Sequence, residues 1–411
     1  MMNIKNILKT QIPSILVSMG HGGTHWVNAS IYILLPYITI DLGLSYTQAG
    51  LVMTVFHLST FAANAISGPL VDIAGNGKYT SFQAYSLAIG GMAMLIMSLS
   101  STIYVLFLSV ALIGISISLW HPAALTYLSL EYPGSRGFVL SVHSIGASIG
   151  DALSPLLAAF LLTYVTINNT NLSWNMTSAI LSIPLFVMMF LILFYLKDKI
   201  KPEVKLEGTK SKQENYFNNL KLLLKNAQLI PLFLVAGVRT VTQNGILVFM
   251  PLYLVANQGV SAAATIGASL FTMQIGGLFS GPIAGYLSDK HGRKIIAVVA
   301  LLISSLLAPL YIIIESNLMI IILSGAIGFA IYAGRPVVQG WALDIAPEKT
   351  SGSVIGLLFM VQVGSAAIFA IIAGIIADIY GLEVIFIILS FICLLTLAIA
   401  SLVKYPKPTL E

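Results

Sequence analysis

Apolar stretches of about twenty residues recur along nearly the whole chain, and that is the length an α-helix needs to cross a bilayer. In order they fall at 11–38, 47–70, 80–99, 102–130, 137–164, 174–196, 229–255, 261–287, 294–314, 317–344, 352–378 and 383–404. In lipid each backbone N–H and C=O must find its partner within the protein, so a series of such spans predicts an all-α membrane protein with 12 transmembrane helices. Of the 411 residues 57% are hydrophobic and 9% charged, where a soluble domain carries about 25% charge. That balance excludes an ordinary soluble enzyme and a nucleic-acid-binding protein. A single cysteine, Cys393, rules out an intramolecular disulfide framework and any cysteine metal cluster. The first stretch is too long, and followed by too many others, to be a cleaved signal peptide.

Most connections are short and polar. One is long: Lys197 to Asn226 carries eight lysines with Asp198, Glu203, Glu207 and Glu214. The expected organisation is therefore a six-helix bundle over 1–196, a linker over 197–228 and a second six-helix bundle over 229–411. Eighteen of the twenty basic residues fall before span one, in alternate loops, in the linker or at the chain end. Cytoplasmic loops retain Lys and Arg, so both termini and the linker are expected on the cytoplasmic side of a cell (inner or plasma) membrane. The formal charge of +5 is then explained by insertion, with no nucleic-acid partner.

The two halves repeat each other. Ile12-Pro13 recurs as Ile230-Pro231, His121-Pro122 is matched by Arg335-Pro336, Pro133 by Pro347, and Ser67-Gly68-Pro69 by Ser280-Gly281-Pro282. Repeated halves around a pathway are a transporter plan. After span eight the chain reads Gly285-Tyr286-Leu287-Ser288-Asp289-Lys290-His291-Gly292-Arg293-Lys294. This closely resembles the signature loop of the major facilitator superfamily, Gly-x-Leu-x-Asp-Arg-x-Gly-Arg-Lys. The loop after span two, Gly68-Pro69-Leu70-Val71-Asp72-Ile73-Ala74-Gly75, is a decayed copy with Ile73 at the basic position. The resemblance implies two pseudo-symmetric six-helix bundles and alternating access. Asp289 with Arg293, and more weakly Asp72, are expected to gate the cytoplasmic side.

Ionisable side chains within spans are costly, and each is a functional-site candidate. Here they are His21 and His25 (span one), His57 (two), His121 (four), His143 and Asp151 (five), Arg239 (seven) and Arg335 (ten). In the superfamily plan spans one, four, seven and ten line the central cavity, which implies an electropositive cavity. A guanidinium stays charged, and its planar fork suits carboxylate or phosphonate. Arg239 and Arg335 are thus the expected anion ligands, with His21, His25 and His121 as further donors and Tyr332 and Gln339 as pocket neighbours. The alternative for each arginine is a backbone carbonyl, Asp151 or the membrane interface. Asp151 is the expected proton carrier and His143 shares that role, with helix packing as the alternative for His57 and His143. His21 and His25 have the helical spacing of a metal pair, completed by His121 or Asp151. The two arginines oppose a cation, so no metal, and no other cofactor, is expected.

Span five, Gly146-Ala147-Ser148-Ile149-Gly150-Asp151-Ala152-Leu153-Ser154-Pro155, resembles the fifth-helix motif of the superfamily's antiporters, with glycines altered. Small residues at that spacing also let helices pack closely. Together with His25-Trp26-Val27-Asn28 and His121-Pro122-Ala123 it resembles the fosmidomycin-resistance branch, although Ala29 and Ala123 stand where that branch has acids. Fosmidomycin is a phosphonate. The expectation is a monomeric, proton-coupled secondary transporter of a small organic anion, with export slightly favoured. Uptake of a carboxylate nutrient by proton symport, and a non-transporting membrane sensor, are the alternatives. No His-Glu-x-x-His is present to suggest an intramembrane enzyme.

Overall fold

The computed structural model describes residues 4–75, 78–167, 170–198, 223, 229–346 and 350–402. The first part of the chain forms α1 (Ile4–Asp41), α2 (Tyr46–Gly75), α3 (Tyr79–Ser98), α4 (Ile103–Glu131), α5 (Arg136–Tyr164) and α6 (Trp174–Tyr195). A short antiparallel pair, β1 (Thr166–Ile167) with β2 (Thr170–Asn171), joins α5 to α6. The second part forms α7 (Leu229–Gln258), α8 (Ala263–His291), α9 (Arg293–Leu307), α10 (Leu310–Ile313), α11 (Asn317–Ile345), α12 (Ser351–Tyr380) and α13 (Glu383–Leu402). These elements match the apolar stretches closely. Ten stretches among the described residues are long and apolar enough to cross a membrane, where the sequence predicts twelve. One of the ten, Leu229–His291, runs through both α7 and α8, and α1, whose interior holds His21, Thr24, His25 and Asn28, is not among them.

Helix ends follow local chemistry. Gly43 (φ 59°) follows α1 and Gly292 (φ 95°) separates α8 from α9, backbone conformations that a side chain disfavours. The apolar run expected as one span over 294–314 is split at Ala308–Pro309, because proline lacks the N–H that continues a helix and its ring crowds the preceding turn. Prolines inside other helices, such as Pro122 in α4 and Pro336 in α11, are tolerated because neighbouring helices meet the freed backbone groups. Asp198 receives hydrogen bonds from the Thr80 backbone N–H (3.1 Å) and hydroxyl (2.7 Å) at the start of α3.

The chain divides into two compact units, one drawn from Met1–Glu203 with Leu254–Phe271, the other from Val204–Tyr253 with Thr272–Glu411. The end of α7 and the start of α8 thus group with the first unit. There the Tyr37 hydroxyl donates to the Val260 carbonyl (3.2 Å), and a methyl group on Gly267 would collide with Ala159 of α5. The first unit's core is centred on Trp120, Leu87, Leu128 and Ile192. The second is centred on Trp341, Val337, Leu358 and Ala342.

Within the first unit α1 and α5 meet backbone to backbone. A Cβ on Gly146 would strike the Ser18 carbonyl, one on Gly150 the Gly22 carbonyl, and one on Gly22 would lie 2.8 Å from the Gly146 carbonyl oxygen. This is the packing the small residues of span five predict. The Ser30 and Ser154 hydroxyls continue the seam at 2.7 Å, with Ser154 donating to the Trp26 carbonyl (2.8 Å). Gly150→Val is expected to lower stability by about 2 kcal/mol or more through overpacking. Gly281→Ala, with open space at its Cβ, should leave it unchanged or slightly raised. Thermal unfolding in detergent reads both.

Candidate functional site

The close approach of α1 and α5, with α4 beside them, gathers four histidines and one acid in the first unit. His21 is buried, 5% exposed, and its Nδ1 lies 2.7 Å from the His143 carbonyl oxygen. A carbonyl only accepts, so Nδ1 carries the proton and Nε2 is left without one in the neutral ring. That Nε2 has no hydrogen-bond partner among the described residues. The His21 ring stacks on His143 (centroids 3.8 Å apart, planes 8° apart) and meets His25 and His121 edge-on at 4.8 and 5.1 Å. His143 is held from its other side by the Trp120 indole N–H, which donates to its Nε2 at 3.1 Å.

His25 Nδ1 is 2.8 Å from Asp151 Oδ2, and the two side chains are 24% and 17% exposed. The sequence offers Asp151 as a partner for an arginine; in the structure it pairs with His25 instead. Nitrogen atoms of His21, His25 and His121 all lie within 4.8 Å of one another. His57 sits apart from this group, buried beside Phe56, with its Nε2 unpartnered among the described residues.

In the second unit Arg239 of α7 is buried, 6% exposed. Its Nη1 donates to Gln243 Oε1 (2.9 Å) and its Nη2 to Thr240 Oγ1 (2.8 Å), both on the same helix. Its Nε has no partner among the described residues. The aliphatic part of Arg239 lies against Gly334, where a Cβ would sit 3.1 Å from its Cδ. Glycine at this position therefore lets α7 and α11 approach next to Arg335. Arg335 is exposed, and it and Tyr332 are near enough to act electrostatically on Arg239. Neither arginine has a carboxylate partner among the described residues. Tyr332 packs its ring over Gly277 of α8. Gln339, one helical turn beyond Arg335, is half-buried. A cleft beside Arg239 is lined by Thr242, Ser304 and Cys393 among apolar side chains such as Leu301 and Ile331.

The signature loop forms a charge cluster. Arg293 pairs with Asp289 at 2.5 Å and donates to Ser288 Oγ (2.7 Å) and to Asp344 Oδ2 at the end of α11 (3.2 Å). It lies over Gly340, where a Cβ would sit 3.0 Å from the guanidinium carbon. Asp344 was not legible as a partner. The signal available was that one guanidinium has five donors and Asp289 uses few of them. Trp120 was missed in the same way, as the donor that a histidine beside it in the fold requires. Asp72 lies outside the residues whose side chains the structure describes.

Comparison with known proteins agrees with this architecture. The family model of the Major Facilitator Superfamily matches residues 17–281 and 233–411. Over 144 residues the chain is 23% identical to the fosmidomycin resistance protein of Escherichia coli (strain K12), a match covering 34% of each chain. It therefore spans about a third of that relative's length. The fold is similar to that of the nucleoside transporter NupG, with a TM-score of 0.78 and 12% identity over 96% of this chain and 99% of that one. It is similar also to a bacterial homolog of the human lysosomal transporter Spinster in its inward-facing, unoccupied conformation, with a TM-score of 0.76 and 14% identity over 96% and 97%. The chain belongs to the Major Facilitator Superfamily, and is a multi-pass membrane protein.

Proposed function

We propose that this transporter exports a small organic anion, a carboxylate or phosphonate, in a cycle coupled to protons. The observation that carries the proposal is the arginine pair. Arg239 is buried, its Nη atoms meet only neutral oxygens, its Nε faces no acceptor among the described residues, and a second guanidinium stands within electrostatic reach. Two like charges in an apolar surrounding repel, and an anion held between them turns that repulsion into attraction. A carboxylate or phosphonate presents two oxygens to a planar fork. Tyr332 beside the pair supplies an aromatic wall and a hydroxyl.

Support for export comes from the relative. The fosmidomycin resistance protein bears the name of a phosphonate, and it matches part of this chain. For coupling, the proposed proton carrier is Asp151, whose contact with His25 links α5 to α1. Both termini are placed in the cytoplasm, on the distribution of lysine and arginine along the sequence.

Arg239→Gln should weaken binding of an anionic ligand about 30-fold or more, the loss of a buried charge-assisted contact, and Arg335→Gln, at an exposed arginine, should weaken it by less, while the melting temperature without ligand stays near that of the parent. Unchanged affinity in folded variants would remove the arginines from the site. In vesicles, Asp151→Asn should abolish the dependence of anion flux on an imposed pH gradient. Persistence of that dependence in the variant clears Asp151 of the proton role, and the gradient sign that drives accumulation reads the direction. A cysteine introduced at the exposed Thr170 should react with an impermeant reagent in intact cells, whereas reaction only after permeabilisation inverts the topology.

A further inference from the structure

We propose that His21, His25 and His121 form a binding site for a first-row transition-metal dication of the zinc class. The site goes beyond the anion proposal and uses only residues of the first unit. Its three candidate ligand nitrogens lie within 4.8 Å of one another. Imidazole nitrogens suit zinc, cobalt, nickel and copper, and three of them leave a further position open to water or to a ligand group.

Proximity alone would be weak support, but the surroundings are those of a metal centre. A histidine that ligates a metal through one ring nitrogen almost always donates the other N–H to a carboxylate or a backbone carbonyl, which fixes its tautomer and orientation. His21 does this with the His143 carbonyl at 2.7 Å, and His25 with the Asp151 carboxylate at 2.8 Å. In both rings the nitrogen so engaged is Nδ1, leaving Nε2 for a metal. The Nε2 of His21 is buried without a hydrogen-bond partner among the described residues. A buried lone pair left unmet is costly, and a bound cation meets it. The stack of His21 on His143, itself anchored by Trp120, fixes the plane of that ring. Asp151 supplies a negative charge one hydrogen bond from the ion.

The geometry also says what must move. With Zn–N near 2.0–2.1 Å, tetrahedral ligand nitrogens stand about 3.3 Å apart. The rings must therefore draw together by up to about 1.5 Å, and His25 and His121, both half-buried, have more freedom to do so than His21. Binding here replaces no covalent bond: the neutral His21 and His25 rings keep their Nδ1 protons and donate Nε2 lone pairs. Any proton held at those lone pairs is released on binding.

The test uses the purified full chain in detergent, stripped with chelator and titrated with Co²⁺ and then Zn²⁺, with no anion substrate present. One equivalent of Co²⁺ should produce the visible absorption of a four-coordinate nitrogen-ligated ion, and Zn²⁺ should displace it. His25→Gln and His121→Gln should each weaken binding about a hundredfold, and Asp151→Asn about 10- to 100-fold through lost orientation of His25. His291→Gln, exposed at the end of α8, should leave it unchanged. X-ray absorption at the zinc edge of the unaltered protein should show three imidazole ligands, which keeps the proposal testable if a variant does not fold. Only weak, octahedral Co²⁺ binding, binding that survives both His25→Gln and His121→Gln, or an edge spectrum without imidazole would overturn it. Arg239→Gln should keep the metal and lose the anion, so the two proposals fail separately.

Discussion

An arginine cannot give up its charge inside a protein, and a bundle of apolar helices offers little to compensate it. That constraint shapes the second unit. The structure meets two of the three nitrogens of Arg239 with oxygens from its own helix, Thr240 and Gln243, and opens space for its stem by placing Gly334 opposite. It then sets Arg335 nearby, which raises the electrostatic cost further. An arrangement that accumulates positive charge where it is expensive is poorly explained as packing. As a place where an anion exchanges its water for guanidinium groups, it makes physical sense, since the ligand supplies the missing compensation.

The first unit solves a different problem with the same devices. Glycines at 22, 146 and 150 bring α1 and α5 into backbone contact, and that closeness allows side chains on the two helices to share hydrogen bonds. His25 reaches Asp151, His21 reaches the His143 carbonyl, and Ser30 reaches Ser154 across the same seam. The helix-packing motif and the polar cluster are therefore one feature: without small residues the histidines would stand too far from their partners. Larger residues in the seam would disturb stability and chemistry together.

The helices and the family were largely legible in the sequence. A bilayer demands long uncharged runs, and the loop from Gly285 to Lys294 is specific. What escaped were features set by three-dimensional detail. The break at Pro309 falls inside a continuous apolar run, where hydropathy has no signal. His21 and His25 share a helix face by spacing, yet His21 is buried against His143 while His25 stays half-exposed. Which of the two turns inward depends on where Gly22 meets α5, and no periodicity reveals that. Asp344 is a single acid near a span end, unremarkable until the fold brings Arg293 across Gly340 to it. The three histidines were weighed as metal ligands from spacing alone. Their second partners, a carbonyl and a carboxylate, are visible only in the structure.

Nuclear magnetic resonance of the protein labelled with ¹⁵N-arginine tests most directly whether the two arginines hold an anion. The chain has four arginines, Arg136, Arg239, Arg293 and Arg335, so the Nε–H spectrum is simple enough to assign by substitution. On titration with fosmidomycin or a short-chain carboxylate, the signals of Arg239 and Arg335 are predicted to shift together and saturate, while those of Arg136 and Arg293 stay in place. If neither signal moves with any anionic probe, or if all four drift in proportion to ionic strength, these arginines do not form an anion site.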